Sequence, residues 1–327
     1  MQQSQGPFRV VVTSDRLSPE AVTLLAEKCR IEFTGSYANP ADIAALVAET
    51  QADGLIVRTG KISREVIQAS PRLRVISKHG IGVDNVDVPV ATALKIPVLI
   101  SASANYRSVA EHALALMLSL AKDIPSLDAR VRQGHWDKTT YRGVELFRKG
   151  LGLVGFGRIG RRLAELVAPF EMNIVVFDPF LTGNVPAPIT RVQKIGELLN
   201  AVDIVSLHLP LTAGTRHLIG RKELAMMKKT AWLINTARGE VVDEMALIDA
   251  LEQGVIAGAG LDTLAKEPPE NLDRLCSVGK LVLTPHIGAA TAESIVRMAV
   301  EAAQNVLTVL VGQTPELGIM VNPEIYD

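Results

Sequence analysis

Residues 149–160, KGLGLVGFGRIG, constrain this chain more than any other stretch. An apolar run, Leu151 to Val154, enters a turn written Gly155-Phe156-Gly157-Arg158-Ile159-Gly160, and the turn leads into a helical pattern, RRLAELVAPF. A glycine string alone also suits turns in other α/β proteins. Strand, G-x-G-x-x-G turn and helix in succession point to a dinucleotide site. The first glycine permits the tight turn, the second lets a pyrophosphate approach the backbone, and the third lets helix and strand pack closely. The helix N-terminus then offers free N–H groups and the positive end of its dipole to the phosphates. A second apolar run, NIVVF, ends at Asp178, about 20 residues on, where an acidic side chain suits the adenosine ribose hydroxyls. The same carboxylate repels a 2′-phosphate, so NAD is the expected cofactor rather than NADP.

The rest of the chain reads as strand–helix alternation. Before the glycine turn, strands are expected at 8–13, 31–33, 54–58, 74–77 and 97–100, with helices at 19–28, 41–50, 63–69 and 88–95. Apolar strands alternating with helices predict a parallel sheet covered on both faces. A long apolar-faced helix follows at 108–124, with Ser108 and Glu111 spaced as an S-x-x-E capping box. His112, inside that helix, reads as structural. A second helix is expected from Pro125 to Gln133, and residues 135–148 read as an irregular crossing and a candidate subunit contact. After Asp178, strands are expected at 203–209, 231–236, 257–261 and 281–283, with a final helix at 291–311.

The bulk properties exclude several classes. A chain of 327 residues suggests two domains. A formal net charge of −1 leaves no general basic surface for nucleic acid. Cys29 and Cys276 stand far apart, outside any ligand or disulfide pattern, which suits a reducing, cytoplasmic compartment and no metal. The N-terminus lacks the apolar core of a signal peptide, and the most apolar helix is too short for a bilayer, so no membrane partner is expected.

Ligands of open α/β sheets bind at the carboxyl ends of strands, and several strand ends here carry polar residues. In the first half the stretch is Lys78-His79-Gly80-Ile81-Gly82. Its glycines can turn backbone N–H groups toward an anion, and Lys78 adds a charge; a tight turn with a solvated lysine fits equally well. In the second half, Arg238 lies between Ala237 and Gly239, where a guanidinium can grip a carboxylate bidentately. His286, in Thr284-Pro285-His286-Ile287-Gly288, can exchange a proton near neutral pH. Glu267 can pair with it and stabilise the imidazolium. Each alone is an ordinary surface or core residue; their joint placement after the dinucleotide turn is what singles them out.

These motifs, in this order and over nearly the whole chain, resemble the D-isomer-specific 2-hydroxyacid dehydrogenases, most closely the phosphoglycerate dehydrogenase branch. The motifs are GIGVDNVD at 80–87, SVAEH at 108–112, GFGRIG with Asp178, HLPLT at 208–212, NTARG at 235–239, the segment from Asp262 to Glu267-Pro268, and TPHIG at 284–288. The resemblance implies two doubly wound parallel-sheet α/β domains. One is a flavodoxin-like substrate domain from 1–104 plus 292–327, and the other is a Rossmann NAD-binding domain from 105–291. It implies Arg238, Glu267 and His286 as catalytic residues. Cofactor contacts would come from Gly155, Gly157, Arg158, Ile159, Gly160, Asp178, Thr236, Ala237, Asp262, Gly288 and Ser101. The substrate would be held by Arg238 with Lys78, His79, Gly80, Ile81 and Gly82.

The implied activity is NAD-dependent interconversion of a D-2-hydroxy acid and its 2-oxo acid, with 3-phosphoglycerate and 3-phosphohydroxypyruvate as one candidate pair. Two alternatives share the fold: a glyoxylate/hydroxypyruvate reductase, and an NAD(H)-sensing corepressor-like binding protein. The family is typically dimeric through the helices after residue 104. The chain departs from the usual pattern at Ser101-Ala102-Ser103, and Lys78-His79 replaces the arginine often found in the first substrate loop. The resemblance to the longer phosphoglycerate dehydrogenases stops before their regulatory domain, so no serine feedback through such a domain is expected.

Overall fold

The computed structural model describes residues 7–270 and 272–326. The chain divides into two compact units, Met1–Asn105 with Thr291–Asp327, and Tyr106–Ala290.

The first unit is built on five parallel strands: β1 (Phe8–Val12), β2 (Cys29–Phe33), β3 (Gly54–Val57), β4 (Val75–Lys78) and β5 (Val98–Ile100). Their order is β2-β1-β3-β4-β5, the flavodoxin-like arrangement. Side chains alternate across the sheet as the pleat requires. Val10 and Val12 join one core with Ile56 and Val75, while Val11 joins the other with Leu55, Val57 and Ile76. Helix Pro40–Thr50 covers the second face through Ile43 and Val47.

Helix Ala292–Leu310 returns to cover the first face with Ala299, Ala302, Ala303 and Val306, all fully buried. Small side chains on this helix, and the missing side chain of Gly54, allow a close approach. A Cβ built on Gly54 would lie 3.1 Å from Val306. The chain beyond the helix is fastened by Asn322, which is fully buried. It accepts the Val98 N–H at 2.8 Å and donates to Ile96 O at 2.9 Å and Thr92 Oγ1 at 3.1 Å.

The second unit holds seven parallel strands: β6 (Gly150–Val154), β7 (Asn173–Phe177), β8 (Thr190–Val192), β9 (Ile204–Leu207), β10 (Trp232–Asn235), β11 (Gly258–Leu261) and β12 (Leu281–Leu283). The order is β12-β11-β10-β9-β6-β7-β8. Strand progression reverses between β6 and β9, so the carboxyl ends of these two strands flank the crevice where a doubly wound sheet takes its ligand. Helix Tyr106–Lys122 covers one face with Ala110, Ala113, Leu116 and Met117 against Leu151, Leu153 and Ile234. Leu198, Leu199, Leu224 and Leu247 cover the other face, against Val205, Leu207 and Leu233.

Three local features differ from the sequence reading. Strand β8 is new: three residues, Thr-Arg-Val, at the sheet edge carry too little apolar signal to be recognised. Helix Leu272–Ser277 was not expected either. Ser108 does not cap its helix, because the helix begins at Tyr106. Ser108 lies inside the first turn, 4% exposed, and its hydroxyl donates to Gly288 O at 2.6 Å. No helix among the described residues is long and apolar enough to cross a membrane.

Candidate active site

At the end of β6 the chain turns sharply enough to require glycine. Gly155 has φ +93°, and a Cβ there would sit 2.3 Å from His208 O, the backbone that follows β9. A Cβ on Gly160 would sit 2.5 Å from Gly155 O. Gly157 is the opposite case, with nothing within 4 Å of its Cβ position. That space, next to the first turn of helix Arg158–Leu166 and with Gly157 as an N-cap lacking a side chain, is a cradle for a phosphate group. Asp178 ends β7 beside the turn, accepting the Phe156 N–H at 2.9 Å and the Phe180 N–H at 3.0 Å. These features fit a dinucleotide. Arg158 is exposed and Ile159 half-buried at the helix start. Thr236, 8% exposed after β10, has a hydroxyl with no hydrogen-bond partner among the described residues.

The catalytic candidates stand at the ends of β10, β11 and β12. After β10, the Asn235 side chain clasps its own loop, accepting the Ala237 N–H at 3.0 Å and donating to Arg238 O at 2.9 Å. Arg238 Nη1 donates to Ala237 O at 2.7 Å. A Cβ on Gly239 would fall 1.9 Å from the Leu264 carbonyl carbon, so the arginine turn is pressed backbone to backbone against the segment after β11. The Leu264 N–H in turn donates to Glu267 Oε1 at 3.1 Å, and Glu267 Oε2 lies 2.8 Å from His286 Nδ1. Arg238, Glu267 and His286 are thus linked through Leu264. With Nδ1 engaged by the carboxylate, Nε2 is the nitrogen left to exchange a proton with a ligand. Burial works to raise the Glu267 pKa, but the hydrogen bond and charge of His286 outweigh it, with help from the Leu264 N–H. The carboxyl is held below its usual value.

Behind His286 lies Asp262, 3% exposed at the end of β11. Its Oδ1 accepts the Thr284 hydroxyl at 2.6 Å and the Ile287 N–H at 2.9 Å, and its Oδ2 accepts the Gly288 N–H at 2.8 Å. His112 Nε2 is 3.2 Å from the same carboxylate. Burial again favours the neutral acid, but these donors prevail and bring the pKa down to about 2. His112, Ser108 and Asn235 are the site residues that motif reading did not assign. Their signal was present, since the first two lie in SVAEH and the third opens NTARG, but neither motif says which loop its side chains hold.

In the first unit, Lys78 Nζ donates to Asn85 Oδ1 at 2.9 Å and approaches Arg58 O at 3.4 Å. Asn85 donates to Gly60 O at 2.5 Å, so these polar groups join the loops after β3 and β4. His79 is 7% exposed, and burial, helped by the charge of Arg58, lowers its pKa to about 4. It is therefore neutral near pH 7. Gly80 has φ +131°, a conformation suited to glycine, while Ile81 and Gly82 are half-buried. Ser101 is fully buried, and its hydroxyl bridges Lys78 O at 2.9 Å and Met298 O at 3.0 Å, bracing the turn.

Comparison with known proteins bears on the whole chain. The family described as "D-isomer specific 2-hydroxyacid dehydrogenase, NAD binding domain" matches residues 114–288. The chain belongs to this family. It is 37% identical over 309 residues to the D-3-phosphoglycerate dehydrogenase of Methanocaldococcus jannaschii, covering 94% of this chain and 58% of that protein. It is 38% identical over 302 residues to the hydroxypyruvate reductase of Thermotoga maritima, covering 91% and 97%. The D-lactate dehydrogenase of Aquifex aeolicus, solved with NAD and lactic acid, superposes with a TM-score of 0.83 at 26% identity, covering 96% and 99%. The chain spans between half and two thirds of the length of the phosphoglycerate dehydrogenases it matches. Its two parallel-sheet units have the fold of the D-2-hydroxyacid dehydrogenases, and NAD(H) is the cofactor of the matched domain.

Two outcomes follow from this geometry. Gly239→Ala must push the arginine turn off Leu264, and in a steady-state turnover assay kcat/KM should fall by about two orders of magnitude. Asp262 has a folded pKa below its unfolded value of 3.8. Its contribution is therefore complete above the unfolded pKa and is lost as pH falls toward 2. In urea unfolding, the stability gap between the wild type and Asp262→Asn should narrow by about 1 kcal/mol from pH 5 to pH 3.

Proposed function

We propose that this chain is an NAD-dependent oxidoreductase that interconverts a D-2-hydroxy acid and its 2-oxo acid. The observation that carries the reading is the 2.8 Å pair of His286 and Glu267, coupled through Leu264 to the Arg238 turn within the NAD-binding domain. Bound NADH supplies a hydride to the substrate carbonyl carbon. Protonated His286 gives its Nε2 proton to the carbonyl oxygen, and in oxidation the neutral imidazole takes that proton back. Glu267 stabilises the imidazolium and fixes its orientation. Arg238 holds the substrate carboxylate in a bidentate grip. The 78–82 segment, with Lys78, His79, Gly80, Ile81 and Gly82, belongs to substrate recognition in this reading.

The pyrophosphate is assigned to the Gly155–Gly160 turn and the first N–H groups of the helix that begins at Arg158, and the adenosine ribose to Asp178. Its carboxylate at the end of β7 disfavours a 2′-phosphate, which supports NAD over NADP. Thr236, Ala237, Asp262 and Gly288 are assigned to the nicotinamide end, and Ser101 is proposed as a further cofactor contact.

For the substrate tail, the phosphoglycerate dehydrogenase relatives and the charge of Lys78 support 3-phosphoglycerate and 3-phosphohydroxypyruvate. A second reading, hydroxypyruvate reduction, is supported by the T. maritima relative, of which the chain covers 97%. The test is NADH oxidation across phosphohydroxypyruvate, hydroxypyruvate, glyoxylate and pyruvate. Turnover is expected, and His286→Ala should lower kcat by about 100-fold or more. Preference for the phosphorylated acid, lost in Lys78→Ala, selects the first substrate; preference for an uncharged tail selects the second. Tight NADH binding without turnover of any acid would overturn the enzyme reading in favour of a sensor.

The chain is further proposed to act in the cytoplasm as a homodimer. Helix Ile124–Arg132 has no buried residue, and Ile124, Val131, Trp136 and Phe147 are exposed in the segment that follows the long helix. These exposed apolar side chains in one stretch of the chain support its use as an association surface. Light scattering should give twice the 35.1 kDa of one chain, and Trp136→Lys should shift the mass toward one chain.

A further inference from the structure

We propose that His112 is a positioning residue for the proton donor: through Asp262 and Thr284 it holds the loop that carries His286. The proposal rests on the role given to His286 above.

His286 has φ +55°, in the left-handed region that an L side chain occupies only where its surroundings over-determine it. Those surroundings are identifiable. The His286 N–H donates to Asp262 O at 2.7 Å, and Thr284, Ile287 and Gly288, the residues around it, all donate to the Asp262 carboxylate. The carboxylate is therefore the anchor of the loop, and what orients the carboxylate orients the loop.

His112 supplies that orientation. Its Nε2 is 2.9 Å from Thr284 Oγ1 and 3.2 Å from Asp262 Oδ1. The Thr284 hydroxyl has spent its own proton on Asp262, so its oxygen can only accept from His112. The ionised carboxylate also only accepts. Both constraints place a proton on His112 Nε2, shared between the two oxygens. The ring also lies against the loop itself, because a Cβ on Gly288 would come within 2.9 Å of Asp262 Oδ2 and 3.6 Å of His112 Cδ2. One turn earlier on the same helix, Ser108 donates to Gly288 O at 2.6 Å. Two residues of helix Tyr106–Lys122 thus grip both the anchor of the loop and its far end. Neither touches a ligand in this reading; they act through the loop.

The test uses the full chain with His112→Ala, His112→Gln and Ser108→Ala. Glutamine keeps an N–H donor at about the reach of Nε2. With NADH and the best 2-oxo acid, His112→Ala should lose about 10- to 100-fold in kcat. KM for the 2-oxo acid should stay within about twofold; the NADH dissociation constant, read by fluorescence, should rise by much less than kcat falls, since Asp262 and Gly288 are also assigned to the cofactor, and His112→Gln should recover most of both losses. A second readout needs neither cofactor nor turnover. In protein labelled with 15N-histidine, the His286 Nδ1 proton bonded to Glu267, assigned by its loss in His286→Gln, should broaden in His112→Ala and return in His112→Gln. Should the wild type reduce no 2-oxo acid, the functional reading fails while the resonance still decides this one. Wild-type kcat and an unchanged His286 signal in His112→Ala would overturn the proposal. So would parallel losses in kcat and NADH affinity with a lowered melting temperature. If His112→Ala does not fold, the same loss of kcat and signal in Ser108→Ala supports the clamp, and its absence refutes it.

Discussion

The site depends on one buried carboxylate. Asp262 sits at the end of β11 with almost no exposure, a placement that by itself favours the neutral acid. Its ionised form persists because a hydroxyl and two backbone N–H groups converge on it, with His112 alongside. A hydrogen bond to a charged partner contributes roughly 1.5–3 kcal/mol. The set therefore has enough to hold the loop after β12 in a conformation that includes a strained His286. A neutral asparagine in the same place would still accept but with less charge, and would carry an N–H₂ where the loop presents donors.

The second constraint is backbone proximity. Parallel strands place their carboxyl ends side by side, so the segments leaving β6, β9, β10, β11 and β12 crowd together. Glycine relieves the crowding where two segments cross. Gly155 admits the chain after β9, and Gly239 admits the segment after β11. These contacts convert sheet topology into side-chain geometry. Arg238 and Glu267 are 29 residues apart in the chain, yet the Gly239–Leu264 contact and the Leu264 hydrogen bond tie one to the other.

Much of this was legible from residues alone because the signals are local. The glycine spacing, the apolar run before it and Asp178 after it are all within 30 residues, and each has a fixed structural meaning. Helix capping is local as well: Ser18 accepts the Ala21 N–H and Asp243 accepts the Ala246 N–H, each within its own helix start. Ser108 shows where local reading ends. Its spacing to Glu111 satisfies the capping-box pattern, but the helix starts two residues earlier and a loop 180 residues away takes the hydroxyl. Lys78 is similar: it reads as a charge awaiting an anion, while its ammonium group donates to Asn85 within its own unit.

Neighbouring residues alone were enough to set the two α/β layers and the dinucleotide turn, and to mark Arg238, Glu267 and His286 as candidates for the site. Periodicity, glycine chemistry and motif order are carried by neighbouring residues and survive without coordinates. Tertiary structure alone decided which side chains support them: Asp262 as the anchor of the His286 loop, His112 and Ser108 as its holders, and Asn235 as the clasp on Arg238. Such support is a matter of which polar groups are left facing one another once the sheets are packed. Buried donors and acceptors must find partners there, whatever their separation along the chain.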